Sequence, residues 1–91
     1  MTPESARELV YRAAAELNQQ LAPEKRLPLA VETVVAGEGS RLDSLALINL
    51  CASVERMAEG SRSVDLISLL GDPSGVDKLR TLGSIADLLV E

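Results

Sequence analysis

Histidine, tryptophan and phenylalanine are missing from this sequence of 91 residues, and cysteine and tyrosine occur once each. Without histidine, neither a serine–histidine nor a cysteine–histidine pair is available to activate a nucleophile. The same lack, together with the single cysteine, argues against zinc and copper sites of the usual ligand types. One aromatic residue provides no stacking platform for single-stranded nucleic acid. We therefore expect a chain that is not itself an enzyme.

Positive charge is also scarce, with 9 Lys and Arg against 14 Asp and Glu and a formal net charge of −5. Because binding to nucleic acid depends on neutralising phosphates, we expect no nucleic-acid partner. No apolar run approaches the roughly 20 residues that span a bilayer, so we expect no membrane span. The lone Cys51 cannot form an intrachain disulfide and suits a reducing compartment, which favours a cytoplasmic protein.

Aliphatic residues dominate what is present, since 46% of the chain is apolar and almost none of that is aromatic. This content is sufficient for one compact core, and the length fits a single domain over residues 1–91. We expect that domain to be a monomer. The core has to be built from leucine, valine, isoleucine and alanine on helix faces.

Three longer helices and one short helix can be predicted from periodicity and capping residues. Thr2 and Pro3 begin a first helix that runs to about Leu21, and a long loop follows over residues 22–42. Asp43 or Ser44 begins a second helix that runs to about Ala58 and is closed by Gly60. The sequence therefore predicts an all-α fold, a small four-helix bundle with a long loop between helices 1 and 2.

The last third of the chain is less clearly patterned. Residues 64–70 fit either a short helix capped by Gly71 or an extended stretch, and residues 71–75 have the composition of a turn. Thr81 then caps a last helix that has apolar residues on one face, namely Leu82, Ile85, Ala86 and Leu89.

The second helix carries two apolar stripes instead of one. The first stripe, at the spacing of a core face, consists of Leu47, Leu50, Cys51 and Val54. The second consists of Leu45, Ile48 and Ala52, which we call the apolar face. Either this helix is buried on most sides, or the apolar face binds partner proteins. Cys51 lies on the core stripe, so we interpret it as a small buried hydrophobe and not as a reactive thiol.

Two interpretations also fit Asp43-Ser44 at the start of this helix. Either residue can serve as an ordinary N-cap. Alternatively, Ser44 is exposed and carries a modification, because a phosphate there would meet the free N–H groups and the positive end of the helix dipole.

The surroundings of this dipeptide resemble an acyl carrier protein. The similar stretch runs from Glu32 to Leu50 and contains a loop threonine, the glycine-rich Gly37-Glu38-Gly39, the tripeptide Asp43-Ser44-Leu45 and an aliphatic helix. The final segment from Leu79 to Leu89 is similar to the last helix of that family, as are the helix order, length and acidity.

The resemblance implies a covalent 4′-phosphopantetheine arm on Ser44, moved there from coenzyme A by a phosphopantetheinyl transferase. An acyl intermediate would be held on the arm as a thioester and presented to acyl-loading and acyl-processing enzymes. Asp43 matches the acidic residue expected to help orient the magnesium of the transferase. Leu45, Ile48, Asn49 and Ala52 are the expected partner-binding residues.

Two departures from the family pattern bear on the pathway. Carriers of fatty-acid biosynthesis usually have an acidic second helix, whereas Ala46, Asn49 and Arg56 stand at corresponding positions that we expect to be exposed. The segment over residues 61–80 is also longer than in compact carriers. It is either a surface insertion or a lid or recognition loop near the arm. These departures favour a specialised lipid, polyketide or other secondary-metabolite pathway.

Two other functions remain open at this stage. One is an aminoacyl or peptidyl carrier, which would use the same arm on Ser44 for different cargo. The other is a non-covalent helical adaptor, which would bind a partner through Leu45, Ile48 and Ala52 and use Ser44 only as a helix cap.

Overall fold

A computed structural model describes residues 2–40, 42–58 and 65–90. The α-helices in these ranges are, in chain order, α1 (Pro3–Asn18), α2 (Ser44–Ala58), α3 (Pro73–Lys78) and α4 (Leu82–Leu89). Short 3₁₀ helices lie at Pro23–Lys25 and Ile67–Gly71. The described ranges hold no strand, and the only β-type pairing there is an isolated bridge between Val34 and Thr81. The predicted all-α class, with a long loop between α1 and α2, is confirmed. The short helix that the sequence allowed within residues 64–70 is the 3₁₀ helix Ile67–Gly71, and α3 follows it.

Helix α1 begins as the sequence predicts. The Thr2 hydroxyl accepts a hydrogen bond of 3.1 Å from the N–H of Ser5, and the Ser5 hydroxyl accepts one of 3.1 Å from the N–H of Thr2. This reciprocal capping box satisfies one free donor of the helix terminus, and Pro3 occupies the first helical position. Thr81 and Ser84 form the same arrangement at the start of α4.

The predicted end of α1 at Leu21 is wrong, because the helix ends at Asn18. The Asn18 side chain accepts a hydrogen bond from the N–H of Leu27 at 2.8 Å and donates one to the carbonyl of Leu27 at 3.0 Å. The Arg26 side chain donates to the carbonyl of Asn18 at 3.1 Å. These contacts across eight and nine residues turn the chain away from the helix axis, which periodicity alone does not reveal.

The core lies where α1 packs against α2 and α4. The buried residues of α1 are Ala6, Val10, Ala13, Ala14 and Leu17. On α2 the buried row is spaced by four residues, at Ala46, Leu50, Val54 and Ala58, with Cys51 beside it. Such rows are the ridges that pack helices against one another. Leu47, predicted for the core stripe, is only half-buried, and Ala46, predicted to be exposed, is buried.

The end of the long loop is fixed by backbone hydrogen bonds to the segment around the start of α4. The N–H of Val35 donates to the carbonyl of Arg80 at 2.7 Å. In return, the N–H groups of Leu82 and Gly83 donate to the carbonyls of Thr33 and Val31 at 3.1 and 2.9 Å. The loop is therefore anchored to the start of α4 before it continues to α2. Its carbonyls accept the hydrogen bonds of the first two N–H groups of α4.

The prediction of a turn at residues 71–75 is wrong, because α3 begins at Pro73. Asp72 caps this helix by accepting a hydrogen bond from the N–H of Ser74 at 3.0 Å. The 3₁₀ helix before it is held by Glu55, whose carboxylate accepts hydrogen bonds from the N–H groups of Leu66 and Ile67 at 2.5 and 3.1 Å. Leu66 is buried, so this part of the segment packs against α2. Gly60, predicted to close α2, and residues 61–64 lie outside the described ranges.

Candidate modification site

Ser44 is the first residue of α2, and its side chain is exposed. The N-cap is Asp43, because its carboxylate accepts a hydrogen bond from the N–H of Ala46 at 2.7 Å and its carbonyl accepts one from the N–H of Leu47 at 3.0 Å. The hydroxyl of Ser44 makes no hydrogen bond to any residue that the structure describes. The helix start is therefore held by Asp43, and the hydroxyl of Ser44 is open to a reagent from outside.

The N–H groups of Ser44 and Leu45 meet no acceptor among the described residues. This differs from α4, where loop carbonyls accept from the first two N–H groups. Two free donors and the positive end of the helix dipole favour an anionic group at this terminus. The Asp43 carboxylate opposes it, so a phosphate on Ser44 would lie beside like charge unless a cation were shared between them.

Residues 35–40, 42 and 43, which we call the approach loop, precede this terminus. Gly37 and Gly39 adopt φ angles of 78° and 86°, a region that glycine enters without the steric penalty of a side chain. The N–H of Ser40 donates to the carbonyl of Gly37 at 3.2 Å, which closes a turn. The hydroxyl of Ser40 makes further contacts within the loop.

The glycines of this stretch were identified from the sequence, whereas Ser40 was missed. The available signal was a serine in a glycine-rich loop, which is typical of a serine turn, where the hydroxyl accepts a hydrogen bond from the N–H two residues ahead. A groove of about 210 Å³ lies between the approach loop and the start of α2. Its lining includes Val35, Leu42 and Leu47 together with the polar residues Ser40 and Ser44.

The apolar face is exposed, with Leu45 at 67% and Ile48 at 41% of their full accessible area. Asn49 and Ala52 are exposed beside them. The alternative that α2 is buried on most sides is therefore wrong for this face. No charged residue occurs from Ser44 to Val54.

The charges at the end of α2 are engaged within the molecule. Arg56 forms an ion pair of 2.9 Å with Glu16 of α1, and the Glu55 carboxylate accepts the hydrogen bonds of the 3₁₀ helix. The part of α2 that presents Leu45 and Ile48 thus carries no charge of its own, although the chain as a whole carries a net charge of −5.

Cys51 is fully buried in the core. Burial raises the pKa of its thiol to about 11, and the nearby Glu55 carboxylate adds to the rise. Since the thiolate is the reactive form, the side chain remains a neutral thiol at neutral pH. This placement supports the interpretation of Cys51 as a core residue.

The described ranges contain no cluster of three or more potential metal ligands and no helix that is long and apolar enough to cross a membrane. The structure brings Asp43 and Ser44 together at one edge of a groove, with Leu45, Ile48, Asn49 and Ala52 along the exposed side of the same helix.

In comparisons with known proteins, no family model, curated protein or solved structure matches the chain.

Proposed function

We propose that this protein is a carrier that holds an acyl intermediate as a thioester on a 4′-phosphopantetheine arm attached to Ser44. The observation that carries the proposal is the exposed hydroxyl of Ser44, which is not used to cap α2. It stands at a helix start with two unpaired N–H groups within the described part of the chain. A carrier needs an accessible hydroxyl and no general base, which agrees with the lack of histidine.

The residues at this site fit the arm chemically. In the modification, the oxygen of Ser44 would bond to phosphorus, the pyrophosphate bond of coenzyme A would break, and the adenosine bisphosphate would leave. The hydroxyl proton would go to a base on the transferase. The N–H groups of Ser44 and Leu45 would stabilise the new phosphate, and the free oxygen of Asp43 would hold the magnesium. The thiol of the attached arm supplies the thioester chemistry.

Leu45, Ile48, Asn49 and Ala52 form the surface that we assign to partner enzymes, namely the transferase and the enzymes that load and process the acyl group. The apolar, uncharged character of this surface supports a specialised lipid, polyketide or other secondary-metabolite pathway over a role that depends on an acidic helix. We propose that the carrier acts as a cytoplasmic monomer, that it does not itself catalyse a reaction, and that residues 1–91 form one domain.

Intact mass spectrometry tests the proposal. The purified chain is incubated with coenzyme A, magnesium and a promiscuous transferase, beside a Ser44→Ala variant. We expect one phosphopantetheine on the native chain and none on the variant. Because Asp43 and not Ser44 caps α2, the substitution should change the free energy of unfolding by less than about 0.5 kcal/mol. A folded native chain that two unrelated transferases leave unmodified would contradict the proposal.

The exposed apolar face also supports a second candidate, a non-covalent helical adaptor. In that case Ser44→Ala would leave both partner binding and activity intact, whereas Ile48→Glu would abolish them. An aminoacyl or peptidyl carrier would share the modification of Ser44. Loading assays on the modified chain, with acyl-adenylating and aminoacyl-adenylating enzymes compared side by side, distinguish an aminoacyl or peptidyl carrier from an acyl carrier.

A further inference from the structure

The hydroxyl of Ser40 joins two backbone groups of the approach loop. It donates a hydrogen bond to the carbonyl of Val35 at 2.8 Å and accepts one from the N–H of Leu42 at 3.1 Å. The carbonyl of Leu42 is farther away, at 3.5 Å. Ser40 is itself half-buried, so these hydrogen bonds are partly shielded from water.

The two groups that Ser40 joins stand on opposite sides of the glycine turn, and both are anchored elsewhere. Val35 is fully buried, and its N–H is bonded to the carbonyl of Arg80. Leu42 packs against the core and directly precedes the N-cap Asp43. Gly37 and Gly39 offer no side chains to hold the turn, and among the described residues the hydrogen bonds of the Ser40 hydroxyl are the side-chain link across it.

We infer that Ser40 is a positioning residue for the modification of Ser44. Its hydroxyl holds the approach loop against the start of α2, so that the transferase meets Ser44 on a preformed surface. Without that link, the loop would have to be ordered during each encounter, and ordering a segment weakens association. This inference rests on the proposed function, because it concerns the same serine and the same transferase.

The experiment compares the kinetics of phosphopantetheine transfer to the native chain and to Ser40→Ala over a range of carrier concentrations. The variant loses both hydrogen bonds of the hydroxyl but keeps Ser44 and its cap, Asp43. We expect kcat/KM to fall about tenfold, chiefly through a higher KM, since the loss acts on association and not on the reacting atoms. Ser40→Thr, which keeps the hydroxyl, should restore most of the rate.

Ser5→Ala is the matched control, because the Ser5 hydroxyl also accepts one backbone hydrogen bond, from the N–H of Thr2, and donates another, to the carbonyl of Thr2. Neither bond involves the approach loop. Ser5→Ala should leave KM unchanged.

Amide hydrogen exchange gives a second measurement, independent of the transferase. The N–H of Leu42 should exchange faster in Ser40→Ala than in the native chain. If Ser40→Ala does not fold, Ser40→Cys, with its weaker donor, takes its place and should give a KM above that of the native chain.

The outcomes separate the two proposals. A folded native chain that is not modified at all overturns the proposed function, and this inference with it. A native chain that is modified, with Ser40→Ala modified equally fast, overturns the inference alone. The inference also fails if Ser5→Ala raises KM as much as Ser40→Ala, or if Ser40→Thr is as slow as Ser40→Ala.

Discussion

The carboxylate of Asp43 accepts a hydrogen bond of 2.7 Å from the N–H of Ala46. Ser44, whose hydroxyl is the candidate site of modification, lies between these two residues in the sequence. One carboxylate oxygen therefore holds the helix start, while the other has no partner among the described residues. This arrangement allows the structural role of Asp43 to be separated from its proposed role in binding magnesium.

Asp43→Asn should keep the cap and remove the charge, because asparagine caps helices about as well as aspartate. We expect the free energy of unfolding to change by less than about 0.5 kcal/mol, whereas Asp43→Ala should cost about 1 kcal/mol. Both variants should slow phosphopantetheine transfer, which initial rates at several magnesium concentrations would measure. Equal transfer rates for the native chain and Asp43→Asn would contradict the proposal that the Asp43 carboxylate binds the magnesium.

Ile48→Glu should abolish binding to partner enzymes and leave the fold intact, since Ile48 is 41% exposed. Gln19→Glu is the matched control, because it places the same charge at an exposed position just after α1.

Binding of the native chain should change by less than about threefold between about 50 mM and about 500 mM salt, because the apolar face carries no charge to be screened. A steep fall in affinity with salt would indicate electrostatic docking instead.

Cys51 should make the stability fall at alkaline pH. Burial raises the pKa of its thiol from 9.0 to about 11 in the folded state, so between these values the folded chain keeps a proton that the unfolded chain loses. The contribution is present below about pH 9 and is lost as the pH rises to about 11, by up to about 1.4 kcal/mol per pH unit. Urea unfolding of the native chain and Cys51→Ala at several pH values tests this. Parallel curves for the two proteins would contradict the raised pKa.

Gly83→Ala should destabilise the protein by about 1–3 kcal/mol through overpacking. A Cβ at this position would lie 2.9 Å from both the Cβ and the carbonyl oxygen of Val31, in the loop that packs against the start of α4. Gly71→Ala is the control, because its Cβ would have no neighbour within 4 Å, and it should be close to neutral. Thermal unfolding of the two variants measures the difference, and similar midpoints would argue against this close packing.

Local signals were reliable where the interaction that decides an element lies within a few residues. Thr2 and Thr81 begin α1 and α4 as predicted, because each cap accepts a hydrogen bond from a residue three positions ahead. The start of α2 was also predicted, although the sequence left open whether Asp43 or Ser44 was the cap. The end of α1 was not predictable in this way, since Asn18 stops the helix by bonding to Leu27.

By itself, the sequence determined the helical class, the starts of α1, α2 and α4, and the dipeptide Asp43-Ser44 at the head of α2, because capping and periodicity are local properties of the chain. Only the tertiary structure decided which side of α2 is buried, since that depends on how α1 packs against α2. It likewise decided that Ser40 ties the approach loop, because that link needs Val35 already anchored to Arg80, forty-five residues further along. Contacts between distant parts of the chain carry no periodic signal, and they are the ones that set the surroundings of Ser44.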